Sequence, residues 1–323
     1  MRVFVAGATG AIGKPLVPML LDGGHEVVAM TRSRDKAEGL RATGATPVVA
    51  DGLDRQAVVD ALVASRPEVV VHQLTALTGF KDMKHWDREW AQTDRLRTEG
   101  TDHLLEGAKA AGAHRFVAQS YSGWPYAREG GTVKTEEDAL DPRPPEGMRR
   151  TLDAIRYVEQ RTLGTAGIDG LVLRYGGLYG PGTSVAPGGD IVELIRARRF
   201  PLVDGGTGVW SFIQIEDAAA ATVAAVERGR PGIYNVVDDD PAPVAEWLPE
   251  LAKAIGAKPP MRLPVWLARL AVGEPGISLM TRVRGASNRK AKRELGWRPR
   301  YPSWREGFRS GLERRTVQPH EQR

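Results

Sequence analysis

The sequence predicts an α/β fold, a doubly wound parallel sheet with a smaller lobe toward the C-terminus. Two observations predict it. Residues 3 to 13 form a short apolar run that enters Gly7-x-x-Gly10-x-x-Gly13, so strand, tight turn and helix start follow one another directly. Beyond that point, short β-branched runs alternate with amphipathic stretches. Such alternation requires right-handed crossovers and a sheet covered on both faces.

Each element has its own warrant. Strands are predicted at Val3–Ala6, Glu26–Met30, Thr46–Ala50, Glu68–Gln73, Arg115–Gln119 and Leu171–Arg174, from runs rich in valine, isoleucine and phenylalanine. Helices are predicted between them, near 11–22, 34–43, 54–65, 89–111 and 148–164, from the 3.6-residue apolar period. Ligands of such sheets bind at the carboxyl ends of the strands, which directs attention to the residues just after each strand.

After the first strand, Gly7, Thr9, Gly10, Ala11, Ile12 and Gly13 form a turn whose free N–H groups suit a pyrophosphate. After the second come Thr31, Arg32, Ser33 and Arg34. A carboxylate here would accept from the ribose 2′-hydroxyl of NAD. Arginines instead favour the 2′-phosphate of NADP, so NADP is expected, with NAD the alternative. Asp51, Gly52 and Leu53 follow the third strand at the expected adenine position, and Asp51 is equally suited to capping the next helix. Leu74, Thr75 and Ala76 follow the fourth, beside the expected ribose and pyrophosphate. Arg174 and Tyr175 end the sixth and complete the expected cofactor groove. His72 reads as a packed strand-end histidine, and Asp217 as the cap of a helix over 218–227.

Between Tyr121 and Met148 lies a Pro/Gly/Glu-rich stretch that reads as a long loop forming a lid or substrate wall. After Tyr179-Gly180-Pro181 the pattern becomes irregular, with one helix expected near 190–199. The expected organisation is a dinucleotide-binding domain over 1–178, a smaller substrate lobe over 179–315 from which Gly232–Val237 returns to the sheet, and a frayed tail over 316–323.

Composition narrows the function classes. With 41% hydrophobic and 26% charged residues among 323, a large core is affordable. No apolar run approaches a membrane span, and the N-terminal apolar run is too short for a cleavable leader, so a cytoplasmic protein is expected. Absence of cysteine and the scattered histidines leave no expected metal site. The net charge of +5 draws on a late basic cluster (Arg282 to Arg300). That cluster has no interleaved aromatics and no nucleic-acid motif, so it reads as a solvated face rather than a nucleic-acid surface.

Five motifs fall in one order: the glycine turn, Phe116–Ser122, Leu173-Arg174-Tyr175-Gly176-Gly177-Leu178-Tyr179-Gly180-Pro181, Phe212-Ile213-Gln214-Ile215-Glu216-Asp217, and Leu295-Gly296-Trp297-x-Pro299. In this the chain resembles the extended short-chain dehydrogenase/reductase family, the NAD-dependent epimerases and dehydratases. The resemblance covers nearly the whole chain. It implies a Rossmann-type domain, a C-terminal substrate lobe, a small-molecule substrate and a homodimer. It also implies a Tyr-x-x-x-Lys pair on the helix near 148–164, where tyrosine moves a proton and lysine lowers the tyrosine's pKa.

The chain departs from that pattern. Aligned through Glu159, the tyrosine position falls on Thr151 and the lysine position on Ile155, and none of the seven tyrosines is followed by lysine at the fourth residue. The candidate catalytic residues are therefore Thr151 itself, Ser120 and Ser122 at the place where the family keeps a substrate-binding serine or threonine, and Tyr121 as a phenol from another direction. Arg97, where relatives carry asparagine, is a cation that either faces the empty lysine position or lies on the surface. Three functions follow: an NADP-dependent oxidoreductase of atypical active site acting on a small carbonyl or alcohol, a nucleotide-retaining epimerase, dehydratase or cyclase, or a non-catalytic dinucleotide sensor.

Overall fold

The structure, a computed structural model, describes residues 1–77 and 82–313; the tail expected from Thr316 lies outside them. Seven strands form one parallel sheet: β1 (Arg2–Ala6), β2 (Glu26–Thr31), β3 (Thr46–Val49), β4 (Val69–His72), β5 (Arg115–Tyr121), β6 (Asp169–Tyr175) and β7 (Gly232–Val236). Their order is β7-β6-β5-β4-β1-β2-β3. The chain runs outward from β1 to β3, then crosses back to β4, so the order reverses beside β1. There Ala6 stands between Met30 and His72, which sets Gly7, Thr31 and Gln73 together at the carboxyl edge.

Alternation along each strand builds two layers. Val3 and Val5 pack with helix α1 (Gly13–Asp22) and with the later Ile215–Arg228 helix, whereas Phe4 and Ala6 face the other side. On that second face lie α3 (Arg55–Ser65), α4 (Trp86–Ala111) and α5 (Arg149–Gly164), while α2 (Arg34–Ala42) connects β2 to β3. Because both faces are covered, the central strands are apolar on successive residues: Val3, Phe4, Val5 and Ala6 are all buried.

A third apolar cluster, rich in tryptophan, joins the start of α4 to residues 179–312 over the sheet's edge. Most expected elements appear within two residues of their predicted ends. The exceptions have local causes. Helix α4 begins at Trp86 rather than 89, because Trp86 and Trp90 lie one turn apart and stack at 4.8 Å. The helix expected near 190–199 ends at Arg196, where Ala197 and then Arg198, at φ +57°, leave helical geometry. The 121–148 stretch is not structureless: Val133–Lys134 pairs with Gly285–Ala286, and Tyr126 bridges to Leu140.

Asp217 does not cap its helix. The helix starts at Ile215 and is capped by the Gln214 side chain, which accepts from the N–H groups of Glu216 and Asp217. The Asp217 carboxylate instead accepts from the N–H groups of Arg300 and Tyr301 at 2.8 and 3.0 Å, tying in the C-terminal segment. Asp238 is buried, and accepts from the Trp304 N–H at 2.8 Å.

Candidate active site

A cavity of about 720 Å³ opens along the carboxyl edge of the sheet. One arm runs over the glycine turn to the end of β2. The other ends between aromatic side chains. Gly7, at φ +92°, sits where a Cβ would lie 2.6 Å from the Gln73 carbonyl oxygen, and at Gly13 a Cβ would lie 2.3 Å from the Gly7 carbonyl oxygen. These two positions admit only glycine. Gly10 differs: a Cβ there meets Gly7 O alone, at 3.1 Å, and faces the open cavity. The N–H groups of Ala11 and Ile12 carry no hydrogen bond among the described residues, and the Ile12 side chain does not cap α1. An open cradle of unpaired donors at a helix start fits a dinucleotide pyrophosphate. Gln73 adds a buried Oε1 without a partner in the same wall, while its Nε2 donates to the Tyr175 hydroxyl at 3.1 Å. That oxygen is placed to accept from a ligand hydroxyl.

The predicted cofactor residues divide into two groups. Gly7, Thr9, Gly10, Ala11, Ile12, Thr31, Arg32, Gly52, Leu74, Thr75 and Tyr175 line the cavity. Gly13, Arg34, Asp51, Leu53, Ala76 and Arg174 do not line it. Asp51 spends its Oδ1 on the Leu53 N–H at 3.0 Å, and Asp54, not Asp51, caps α3 by accepting from Ala57 N–H. Ala76 donates its N–H to Thr93. Around the end of β2 the wall carries Arg32 and two lysines not anticipated from sequence, Lys14 and Lys36, while the described wall holds one carboxylate, Asp190. Lys36 lies in the first turn of α2, shortly after Arg32, and its N–H donates to the Ser33 side chain that caps the helix.

The polar groups under the cavity floor are already engaged. Ser120 lines the cavity, yet its Oγ donates to Glu159 Oε1 at 2.7 Å. Glu159 in turn receives both Arg174 Nε and Nη2, at 2.7 and 2.6 Å, in a pair buried on both sides. Arg174 also donates to the Tyr126 hydroxyl, which donates to Asn235 at 2.6 Å. Ser122 is buried in this network, 3.5 Å from Asn235 Oδ1, and does not reach the cavity. So Arg174 braces the floor and does not line the cavity.

Thr151 is fully buried and absent from the cavity wall. It donates to Asp94 Oδ2 at 3.1 Å and accepts from Trp86 Nε1 at 3.2 Å. Ile155 is fully buried too. Tyr121 does line the cavity, and burial pushes its phenol up to about 12, against a smaller pull from Arg97. Burial holds Tyr175 near 12 as well. His72 is a packed strand-end residue: Leu74 N–H donates to its Nδ1 at 3.2 Å, so Nε2 carries the proton and donates to Thr101 Oγ1. Burial lowers its pKa to about 4.

The far end of the cavity is aromatic. Trp86, Trp90, Trp124, Tyr121, Trp210 and Phe212 contribute to its wall. Trp124 meets Trp86 edge-on at 5.5 Å, and Trp210 stacks with Phe212 at 5.9 Å. Neither Trp86 nor Trp90 is singled out by the sequence; Trp86 falls before the expected start of the helix that carries both.

Comparison with known proteins agrees with this architecture. The sequence profile of the NAD dependent epimerase/dehydratase family matches residues 3–236. A Streptomyces protein named 3-diazoavenalumate denitrifying reductase is 48% identical over 313 residues, covering 95% of this chain and 99% of its own. A Stigmatella aurantiaca protein, 4-hydroxy-2-methyl-3-oxo-4-farnesyl-3,4-dihydroquinoline-1-oxide ketoreductase, is 26% identical over 318 residues, covering 92% of each. Among solved structures, the Thermus thermophilus UDP-glucose 4-epimerase in complex with NAD superposes with a TM-score of 0.72 at 26% identity, over 97% of this chain and 98% of that one. The chain belongs to the NAD dependent epimerase/dehydratase family, as an NAD(P)-dependent oxidoreductase or epimerase/dehydratase-like enzyme.

Proposed function

We propose that this protein is an NADPH-dependent reductase that removes a diazo group from an aromatic acid as dinitrogen. The observation that carries the reading is the state of the proton-donating positions. Thr151 stands where the family's tyrosine is expected and is spent on Asp94. Ser120 donates its hydrogen bond to Glu159, and burial pushes the Tyr121 phenol up to about 12. Reduction of a carbonyl must put a proton on oxygen, and this wall supplies a poor donor for it.

NADPH, when bound, would supply a hydride; with an aryl diazonium acceptor the new C–H bond would form as the C–N bond breaks and its electron pair leaves with dinitrogen, so no proton would be consumed. The residues need only bind, orient and exclude water. The tryptophan faces of the far arm suit a flat ring, and aromatic faces attract a cationic diazonium group. The identity of 48% to a denitrifying reductase of a diazo compound supports the same substrate class. Arg32, Lys14 and Lys36 around the end of β2 support NADPH as the donor, since a phosphate dianion there needs cations.

The test uses the purified protein, NADPH and 4-carboxybenzenediazonium. Expected are loss of NADPH absorbance and one dinitrogen per NADPH, well above the rate without protein. With NADPH deuterated at C4, deuterium is expected on the product ring. Bound nucleotide with no such turnover would overturn the reading.

A further inference from the structure

We infer that Arg97 is the anchor for an anionic group of the substrate, and that the site selects planar aromatic acids over their neutral analogues. The inference rests on the proposed site, not on the proposed reaction. Arg97 lies on α4 with 2% exposure and lines the aromatic arm of the cavity. Its guanidinium lies 5.4 Å above the Trp90 ring, which covers one face and forms no hydrogen bond with its edge. Among the described residues its side chain makes no hydrogen bond and no ion pair, and its Nη1 is buried without a partner. A guanidinium has five N–H donors, and leaving them unmade in a dry site is costly.

The neighbouring charges do not satisfy it. Burial lowers the Arg97 pKa to about 10, with Asp94, Tyr121 and Glu159 pulling weakly the other way. Glu159 is already held by both Arg174 nitrogens. Asp94 is engaged by Thr151 through Oδ2 alone; its Oδ1 is buried without a partner and forms no ion pair with Arg97, and burial raises its pKa, which weakens it as a counter-ion. What remains is a fork of donors at the wall of a cavity with stacking surfaces beside it. A carboxylate or phenolate on a flat ring matches both features at once: the oxygens meet the fork, and the ring meets the aromatic wall at Trp86 or Trp124. A diazonium acid held this way would have its anion at Arg97 and its cationic end among the tryptophan faces.

The experiment measures binding, without turnover, to protein saturated with NADP⁺. Quenching of tryptophan fluorescence by 4-hydroxycinnamate and by its primary amide is compared for wild type, R97K and R97M. Wild type is expected to favour the acid by roughly 10- to 100-fold, R97M to bind the two equally, and R97K to recover part of the preference. Equal binding of acid and amide by wild type overturns the inference, as does an R97M protein that keeps the preference. Should R97M fail to fold, the wild-type pair and R97K decide. Loss of NADP⁺ binding would instead count against the dinucleotide reading, and an inert diazonium assay against the reaction.

Discussion

Thr151 donates to Asp94 across the α4–α5 contact at 3.1 Å, and Trp86, on the same face of α4, donates back to Thr151. The position from which the family's pattern implies proton transfer is thus part of the packing between two helices. T151V is expected to destabilise the protein by about 2 kcal/mol, since a buried carboxylate loses its donor, while turnover changes by less than about threefold. Denaturant unfolding and steady-state kinetics on the same preparation check both halves. A large loss of activity with stability intact would return Thr151 to the chemistry.

Tyr121 lines the cavity, and burial keeps its phenol protonated with little acidity. If the acceptor needs no proton, Y121F should retain turnover within about threefold, and the rate should be flat between about pH 6 and pH 9 with no solvent isotope effect. A collapse of the rate in Y121F would identify the phenol as the donor.

Cofactor choice should reside in the cations beyond β2. Each charge-assisted hydrogen bond to a phosphate is worth about 1.5–3 kcal/mol. R32A combined with K36A should therefore lower kcat/KM with NADPH by at least about tenfold and leave NADH nearly unchanged. Equal losses with both nucleotides would show that these residues read something other than the 2′-phosphate.

His72 links acid sensitivity to the cavity floor. Its folded-state pKa of about 4 lies below the ordinary 6.5, because burial penalises the cation. Its contribution to stability is therefore complete above pH 6.5 and is lost as pH falls toward 4, and charging Nδ1 would also break its bond from Leu74 N–H. Between pH 7 and pH 5 wild type should lose about 2 kcal/mol more than H72N, in which the amide oxygen can still accept from Leu74. Parallel pH profiles for the two proteins would remove His72 from the account.

Much of the fold was legible because its signals are local. A continuous apolar run followed by three spaced glycines dictates strand, turn and helix within thirteen residues, and alternation of short apolar runs with helical periods dictates a parallel sheet. The glycine turn was legible to single residues, since a positive φ at Gly7 and a 2.3 Å approach at Gly13 leave no other choice. Arg32 was legible from its place after a strand, and so was the burial of His72.

What the sequence could not determine was how side chains far apart in the chain spend their hydrogen bonds. Ser120 and Glu159 are 39 residues apart, and Thr151 and Asp94 are 57 apart; only the packing of α4 and α5 against β5 decides that their protons are committed. Arg97 presented the same problem in reverse, because nothing local separates a surface arginine from one buried under Trp90. Strand and turn are fixed by short-range sterics and periodicity, whereas the protonation and pairing of a buried group depend on which distant neighbours exclude water from it. The sequence by itself determined where the glycine turn and the strand ends lie; the tertiary structure decided which polar groups around them are already paired.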